Sequence, residues 1–145
     1  MKVRLATIAD KQQVLSLFDE FSVLFKAKDI PSQIGGEIFD EIIVGDDTKI
    51  FVAEDGGKLV GLATFYLLPN IRHGWHRGHI EDFFTTKSYR GKGVGTKIFE
   101  AIKEYCQNRN IKVIKLDSDK NLHQSHKFYE KNGGRYTENM FRFDL

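Results

Sequence analysis

The sequence is poor in several residue types, and each shortage excludes a class of protein. A single cysteine, Cys106, cannot form a disulfide within the chain, which excludes a disulfide-stapled secreted scaffold. Only two prolines and one tryptophan occur, and no Pro-rich linker divides the 145 residues. The longest apolar stretch, residues 59–68, is too short to cross a bilayer. We therefore expect one soluble, cytoplasmic domain over residues 1–145 that does not contact a membrane.

Charge is distributed unevenly along the chain. Residues 1–55 hold 11 Asp and Glu against 6 Lys and Arg, a net charge of −5. Residues 56–145 hold 9 against 16, a net charge of +7. Neither half has the dominant basic character typical of nucleic-acid binding, so no nucleic-acid partner is expected. The asymmetry suits two ligands of opposite charge, and chance scatter of surface charge is the alternative.

Hydrophobic residues make up 41% of the chain, enough for a core, and their spacing predicts alternating strands and helices. Strands are predicted at 3–5, 49–54, 59–68, 79–86, 111–116 and 141–145, and helices after a capping box at 7–10, then at 34–44, 94–108 and 125–131. Residues 70–78 are predicted to form a polar loop. This order predicts an α/β domain with a mixed sheet.

The most informative segment is Tyr-Arg-Gly-Lys-Gly-Val-Gly-Thr at residues 89–96, between a predicted strand and a predicted helix. Glycines at alternate positions let backbone N–H groups turn towards one point, and the helix adds its positive N-terminal end. Arg90 and Lys92 supply further charge for a phosphate group. A flexible loop without a ligand is the alternative, but it would not need basic residues between the glycines.

The spacing of the glycines bears on which phosphate ligand binds. A P-loop requires Gly-x-x-x-x-Gly-Lys-Ser/Thr, which the segment from Gly91 does not fit. A dinucleotide fingerprint needs glycine where Thr96 stands, although Asp117 at a later strand end would suit a ribose contact. That fingerprint normally opens a βαβ unit, whereas three antiparallel-looking strands precede the loop here.

Two segments resemble the signatures of the GCN5-related N-acetyltransferases (GNAT). Residues 90–95 match the pyrophosphate loop Gln/Arg-x-x-Gly-x-Gly/Ala, and residues 125–133, Ser-His-Lys-Phe-Tyr-Glu-Lys-Asn-Gly, resemble Ala-x-x-Phe-Tyr-x-x-x-Gly. Residues 80–84, Ile-Glu-Asp-Phe-Phe, followed by Tyr-Arg-Gly at 89–91, are similar to the diamine and polyamine acetyltransferase branch. The resemblance follows the element order of the whole chain. It implies a single N-acetyltransferase domain, residues 1–145, with a mixed, mostly antiparallel central sheet flanked by helices.

The resemblance also implies a co-substrate, acetyl-CoA; no metal is expected. The backbone amides of residues 91–96 would hold its pyrophosphate, and the main chain of residues 83–85 would pair with the pantetheine arm. The cofactor-binding residues implied in this way are Phe83, Phe84, Thr85, Arg90, Gly91, Lys92, Gly93, Val94, Gly95, Thr96, Asn121 and Ser125. In the family, the strands on either side of the loop and its helix splay apart, so the arm inserts like an extra strand.

Two catalytic roles follow from the same resemblance. Tyr129 falls on the position that commonly protonates the departing thiolate, and Glu81 falls where several members place a carboxylate that takes the amine proton, often through water. A core aromatic residue and a solvated strand carboxylate are the respective alternatives. On a strand Asp82 would point away from Glu81, so no carboxylate pair is expected.

The chain departs from the family pattern at two places. Members often have Asn seven residues before the tyrosine, but Leu122 stands there and Asn121 lies one position earlier. Gly134 replaces the usual Phe after Gly133, which leaves the local packing there undetermined.

Two further features carry competing interpretations. Histidines 73, 76 and 79 repeat every three residues, as metal ligands sometimes do, but Arg72 and Arg77 would repel a cation. A substrate-side or dimer-side loop is therefore favoured there. Cys106 lies among apolar neighbours on a predicted helix, which favours a buried thiol over a nucleophile. Direct acetyl transfer is accordingly expected rather than an acyl-cysteine route.

Together these patterns predict an N-acetyltransferase that acts on the primary amine of a small acceptor. The family's first helices usually line the acceptor side, and the N-terminal part of this chain is acidic. A cationic acceptor such as a polyamine, a diamine or an aminoglycoside is therefore expected. The alternatives are a protein lysine or N-terminal amine as acceptor, and a module that binds acyl-CoA without turnover. A homodimer is left open.

Overall fold

The computed structural model describes residues 1–25, 32–137 and 143. These fall into two compact units, residues 1–115 and 116–145. The first unit contains β1 (Lys2–Leu5), α1 (Lys11–Phe25), α2 (Ser32–Val44), β2 (Thr48–Asp55), β3 (Lys58–Asn70), β4 (Trp75–Thr85) and α3 (Val94–Asn108), and it reaches β5 (Ile114–Leu116). The second contains α4 (His123–Lys131).

The strands form one sheet in the order β1-β2-β3-β4-β5. The pairings of β1 with β2, β2 with β3 and β3 with β4 are antiparallel. Helices α1 and α2 separate β1 from β2, and α3 separates β4 from β5. The predicted α/β fold with a mixed, mostly antiparallel sheet flanked by helices is confirmed.

The β3–β4 hairpin differs from the sequence prediction. Residues 70–78 were expected to be a loop, but pairing continues through Pro69 opposite His76 to Asn70 opposite Trp75. Proline removes one backbone donor and leaves the carbonyl, so a two-stranded ribbon can continue through it. Only a tight turn remains at the tip, where Gly74 has a φ of +67°.

Other element boundaries shift by a few residues. β5 is shorter than the predicted strand 111–116, because the Ile111 N–H returns to the Cys106 carbonyl (2.8 Å) and ends the helix turn first. Helix α4 begins at His123, two residues before its predicted start. The strand predicted at 141–145 lies, apart from Phe143, outside the described residues.

Buried side chains confirm the predicted helical periodicity. One cluster joins α1 and α2 to the sheet and comprises Val14, Leu17, Phe39, Ile50, Val52, Leu59, Leu62 and Phe84. Helix α3 buries Val94, Ile98, Ile102 and Cys106. Burial raises the pKa of the Cys106 thiol to about 11, which confirms the prediction of a buried thiol. None of the described helices has the length and apolarity that spanning a bilayer requires.

A partly buried ion network ties β1 to the turn before α1 and to β2. Asp10, only 5% exposed, accepts two hydrogen bonds from Arg4, at 2.7 and 2.8 Å, and one from the Thr7 N–H at 2.7 Å. The last contact realises the predicted capping box. Arg4 also donates to Glu54 at 2.9 Å. The Arg4 hydrogen bonds hold the pKa of Asp10 well below its usual range.

Replacing Asp10 with asparagine should therefore lower the free energy of unfolding at pH 7 by about 2 kcal/mol, because charged hydrogen bonds to Arg4 are lost. A lowered pKa in the folded state contributes stability that is present above the unfolded pKa of about 4 and is lost as the pH falls through the folded value. Denaturant unfolding at pH 7 and pH 3 measures this. Asp46→Asn, at an exposed position, is the control. A gap between parent and Asp10→Asn that widens on acidification would contradict the assignment.

Candidate active site

The glycine-rich loop has the backbone conformation that its sequence predicts. Gly91 has a φ of +73°, and Gly93, which caps the start of α3, has a φ of +79°. L side chains rarely adopt this left-handed region, so glycine is required for conformation. An added Cβ at either position would meet no atom within 4 Å. Backbone geometry, and not crowding, therefore accounts for both glycines.

The first turn of α3 presents unused donors. Within the described part of the chain, the N–H groups of Val94, Gly95 and Thr96 have no acceptor, and the first helical bond runs from Lys97 to Gly93 (3.1 Å). The Val94 side chain is buried, and a Cβ at Gly61 on β3 would lie 3.1 Å from its Cγ1. This packing fixes the helix end on the sheet. The result is a packed helix N-terminus suited to an anion.

Sequence analysis missed three contacts beside this loop. The Tyr89 hydroxyl donates to Asp55 at the end of β2 (3.0 Å), and Asp55 also pairs with the Met1 ammonium group (3.1 Å). The Lys92 ammonium group lies 5.1 Å from the centre of the Tyr89 ring. The sequence places Tyr89 next to the loop, but no local pattern indicates a partner 34 residues away.

Arg90, predicted to bind phosphate, is brought together with two other predicted residues. Its Nε donates to the Thr85 carbonyl (3.1 Å), and its guanidinium carbon lies 5.8 Å from the centre of the Phe84 ring. The Arg90 guanidinium group therefore lies against the C-terminal end of β4. This hydrogen bond also engages the Thr85 carbonyl, which was predicted to pair with the pantetheine arm.

The strand segment predicted to pair with the pantetheine arm combines buried and half-buried side chains. Phe84 is buried and meets Phe21 edge to face at 5.5 Å, while Phe83 meets Phe99 at 6.5 Å. On one edge these residues pair with β3. On the other edge, Gly78 donates its N–H to the Val113 carbonyl (2.9 Å), several residues away from Phe83 along β4.

Glu81 lies on β4 with its side chain 61% exposed. Its Oε2 is 3.2 Å from Nε2 of His79, whose side chain is only 16% exposed. The Glu81 carboxylate is thus accessible to solvent, and its contact with the more buried His79 ring orients it. Sequence analysis selected Glu81 but missed His79 as its partner, although the two-residue spacing on a strand was available as a signal.

The expectation that Asp82 points away from Glu81 is wrong. The register shifts between Ala63 and Phe65, so that both carboxylates lie opposite Thr64 on β3. Burial, followed by the charge of Glu81, raises the pKa of Asp82. A β-bulge breaks the alternation on which the expectation depended.

The repeated histidines have different surroundings. His73 stacks on Trp75 with ring centres 5.3 Å apart, whereas His79 contacts Glu81. His76 lies opposite Pro69. Over residues 1–25 and 32–137, no three His, Cys, Asp or Glu side chains are grouped as a metal site would require.

The second unit holds the remaining predicted residues. Tyr129 and Ser125 are half-buried on α4, and burial raises the pKa of the Tyr129 phenol. Asn121 is exposed, and its N–H donates to Asp119 Oδ1 (2.8 Å) in a turn before α4. His126 Nε2 lies 3.0 Å from the Asp119 carbonyl. A phenol with a raised pKa remains protonated at neutral pH and can donate a proton.

The end of α4 explains the unusual glycine at 134. Gly133 has a φ of +89°, and the Gly134 N–H donates to the Tyr129 carbonyl (2.9 Å). A Cβ at Gly134 would lie 2.9 Å from that same oxygen. The second glycine therefore lets the chain close tightly on the backbone of Tyr129.

Comparison with known proteins adds the deciding observation. The sequence profile described as the acetyltransferase (GNAT) family matches residues 13–134. The chain belongs to the GNAT family. This match contains the glycine-rich loop, β4 and α4, and it confirms the resemblance seen in the two sequence signatures.

Relatives of this GNAT chain carry N-acetyltransferase names. Glucosamine 6-phosphate N-acetyltransferase of Trypanosoma brucei brucei is 35% identical over 99 residues, which cover 68% of this chain and 65% of that enzyme. The Arabidopsis thaliana protein of the same name is 28% identical over 137 residues, 91% of this chain and 88% of that protein. An aminoglycoside acetyltransferase from an uncultured soil metagenomic sample, solved with sisomicin, has a TM-score of 0.87 at 20% identity and covers 99% and 95% of the two chains.

These comparisons confirm the fold and the enzyme class, an N-acetyltransferase of the GNAT type. Acetyl-CoA is the co-substrate of the family. The roles of individual residues, the acceptor, the oligomeric state and the cellular location stay predictions.

Proposed function

We propose that this GNAT chain transfers the acetyl group of acetyl-CoA directly to the primary amine of a small acceptor. The observation that carries the proposal is the conformation of residues 90–96, in a chain that belongs to the family. Left-handed Gly91 and Gly93 lead into a helix whose first N–H groups have no acceptor among the described residues. Such donors suit the pyrophosphate of CoA, which would place the loop at the phosphate end of the co-substrate.

Each proposed catalytic residue moves one proton. Glu81 takes a proton from the acceptor ammonium, directly or through a water molecule. The neutral nitrogen then forms a C–N bond to the acetyl carbon while the C–S bond breaks, and the second proton of the nitrogen and the proton held by Glu81 both pass to solvent. Tyr129 gives its hydroxyl proton to the departing sulfur and recovers a proton from solvent. Acetyl-CoA supplies an activated thioester, so no redox partner is required.

The need for a base follows from the protonation of amines. An alkylamine with a pKa near 10.4 is almost wholly protonated at pH 7, and only its neutral form attacks a thioester. Deprotonation costs about 4–5 kcal/mol at that pH, at roughly 1.36 kcal/mol per pH unit. The exposed carboxylate of Glu81, held 3.2 Å from His79, supports its assignment as the group that accepts this proton.

Direct transfer is supported by the state of the single cysteine. Cys106 is 3% exposed, and burial raises the pKa of its thiol to about 11. Thiolate, the nucleophilic form, is therefore scarce at neutral pH. An acyl-cysteine route through this residue is disfavoured on both grounds.

Replacing Gly93 with valine is expected to weaken acetyl-CoA binding by at least about 10-fold. A β-branched residue does not tolerate a φ of +79°, so the loop backbone should change conformation and its N–H groups should be displaced. Isothermal titration with acetyl-CoA measures the change in Kd. The rise in melting temperature on adding acetyl-CoA should shrink in parallel.

Gly57→Val is a matched control for this prediction. Gly57 also has a φ of +79° with no atom within 4 Å of an added Cβ, but it lies in the turn between β2 and β3. The two variants should lose similar stability, and only Gly93→Val should lose affinity. Equal affinity of both for acetyl-CoA would contradict the placement of the pyrophosphate.

A cationic acceptor is supported by the charges of the first unit. Of the acidic residues in residues 1–55, Asp10, Asp40, Glu54 and Asp55 are ion-paired. Five others form no ion pair within the described part of the chain and are exposed: Asp19, Glu37, Glu41, Asp46 and Asp47. An unbalanced acidic surface attracts amines with several positive charges.

A phosphorylated amine is the second candidate acceptor, because relatives carry such names. Two are glucosamine 6-phosphate N-acetyltransferases, and a third, from Salmonella typhimurium, is an aminoalkylphosphonate N-acetyltransferase. Arg72 and Arg77 at the β3–β4 hairpin supply positive charge without an ion pair to any described residue. They are candidate contacts for a phosphate group.

An acceptor panel tests these proposals. CoA thiol release and product mass are measured with spermidine, glucosamine 6-phosphate, aminoethylphosphonate and a lysine peptide. A spermidine KM that rises with salt supports the cationic acceptor, since screening weakens attraction to the acidic surface. Preference for a phosphorylated amine supports the second candidate, and preference for the peptide supports a protein acceptor. Binding of acetyl-CoA without release of CoA thiol in the presence of any tested amine would identify a non-catalytic module.

A further inference from the structure

The pairing of β3 with β4 contains one extra residue beside the proposed base. Ala63 lies opposite Phe83 and Phe65 lies opposite Ile80, so two steps along β3 correspond to three along β4. Thr64 therefore lies opposite both Glu81 and Asp82. This is the arrangement of a β-bulge, in which two residues of one strand oppose a single partner.

The bulge determines the face of the sheet on which Glu81 lies. Thr64 and Tyr66 are two residues apart on β3 and share a face, and Tyr66 lies opposite His79. Glu81 meets His79 at 3.2 Å, while Asp82 meets Thr64. Glu81 and Asp82 consequently share the Thr64 face. Regular alternation would have separated them.

The Thr64 hydroxyl group contacts both the carboxylate and the backbone N–H of Asp82 in this bulge. Thr64, 3% exposed, donates its hydroxyl to Asp82 Oδ2 at 2.6 Å. The same oxygen accepts the Asp82 N–H at 2.9 Å. A bulge leaves backbone groups without their regular ladder partner, and Thr64 supplies a replacement from its side chain. Among the described residues, Asp82 has no ion-pair partner.

Burial strengthens this pair of contacts. Asp82 is half-buried, and burial raises the pKa of its carboxyl group, whereas the Thr64 hydrogen bond opposes that rise. A carboxylate removed from water depends on the few donors it retains. For Asp82 that donor is the Thr64 hydroxyl.

We propose that Thr64 is a positioning residue for acetyl transfer: its hydroxyl clips the β4 bulge at Asp82 and thereby directs the neighbouring Glu81 carboxylate towards the acceptor amine. The inference rests on the proposed function, because it takes Glu81 to be the base. Thr64 is buried and acts through the backbone of β4. Small displacements of a catalytic group cost large factors in rate, so a clip one residue away can control turnover.

Thr64→Val and Thr64→Ser form a matched pair that tests the clip. Valine keeps the shape and removes the hydroxyl, whereas serine keeps the hydroxyl and removes a methyl group. Thr64→Val should lower kcat by about 10- to 100-fold, with the KM for amine and for acetyl-CoA changed by less than about threefold. Thr64→Ser should keep kcat within about threefold of the parent. Melting temperatures record any loss of stability in both.

A double-mutant cycle shows whether Thr64 acts through Glu81. In a Glu81→Gln background, Thr64→Val should cause little further loss of kcat, because the group that it positions is already disabled. Full additivity of the two losses would overturn the proposal. Equal losses of kcat in Thr64→Val and Thr64→Ser would also overturn it, since the methyl group would then matter as much as the hydroxyl.

Asp82→Ala keeps the test decisive if Thr64→Val does not fold. This variant removes the carboxylate end of the clip and leaves the backbone contact, so kcat should fall by about 3- to 10-fold and again only when Glu81 is present. Parent-like kcat in Asp82→Ala, or in a folded Thr64→Val, would overturn the clip while leaving the proposed function intact. A parent protein that releases no CoA with any amine would overturn both.

Discussion

Replacing Glu81 with glutamine is expected to lower kcat for amine acetylation by about 10²- to 10³-fold at pH 7. Glutamine keeps the size of the side chain but cannot accept the amine proton. The accessible carboxylate beside His79 is the group that this prediction removes. Steady-state CoA release, with acetyl-CoA saturating, measures the loss.

The pH dependence of the same variant identifies the step that is lost. Raising the pH increases the neutral fraction of an amine about 10-fold per unit below its pKa, which replaces the function of the base. Glu81→Gln should therefore approach the parent as the pH rises from 7 to 9. Glu100→Gln, at an exposed position on α3, is the control and should behave as the parent. A loss that stays constant with pH would contradict the assignment of Glu81 as the base.

Replacing Tyr129 with phenylalanine is expected to lower kcat by about 10²-fold with little change in acetyl-CoA affinity. Phenylalanine keeps the half-buried ring and removes only the proton donor. The donor is needed as charge develops on sulfur, so the loss should fall on kcat and not on binding. Because a thiolate is already a fair leaving group, with a thiol pKa near 8.5, some activity should remain.

The physical state of Tyr129 agrees with a role as a proton donor. Burial raises the pKa of its phenol, so the hydroxyl should stay protonated throughout the neutral range. Tyr136→Phe, at a residue that is 84% exposed, provides a comparison in the same unit. A Tyr129→Phe protein with parental kcat and melting temperature would show that the ring alone matters.

Local chemistry predicted much of the fold and the phosphate loop. Gly91 and Gly93 were selected for backbone freedom, and both have positive φ values. Helical spacing identified the buried face of α3, where Ile98 and Ile102 are inaccessible. These predictions succeed because each depends on residues within a few positions of one another. Glycine conformation and helix periodicity are properties of short segments.

The sequence predictions were wrong where a contact with a distant residue overrode a local rule. The strand predicted at 59–68 was expected to stop before Pro69, but pairing of Pro69 with His76 continues the hairpin. The Asp82 side chain was expected to point away from Glu81. A β-bulge opposite Thr64, 18 residues earlier, places both side chains on one face of the sheet. Alternation along a strand is a local rule, and one extra residue inverts it for every position beyond.

The amino-acid sequence by itself determined the order of strands and helices, the glycine-rich loop, the buried cysteine and membership of the GNAT family. Tertiary structure alone decided which side chains meet Glu81, how Tyr89 is anchored to Asp55, and how Arg4 joins Glu54 across 50 residues. The physical reason is register: a contact between distant segments depends on how strands align. Hydrophobic alternation specifies that alignment only where the strands are regular, and this sheet is irregular beside the proposed base.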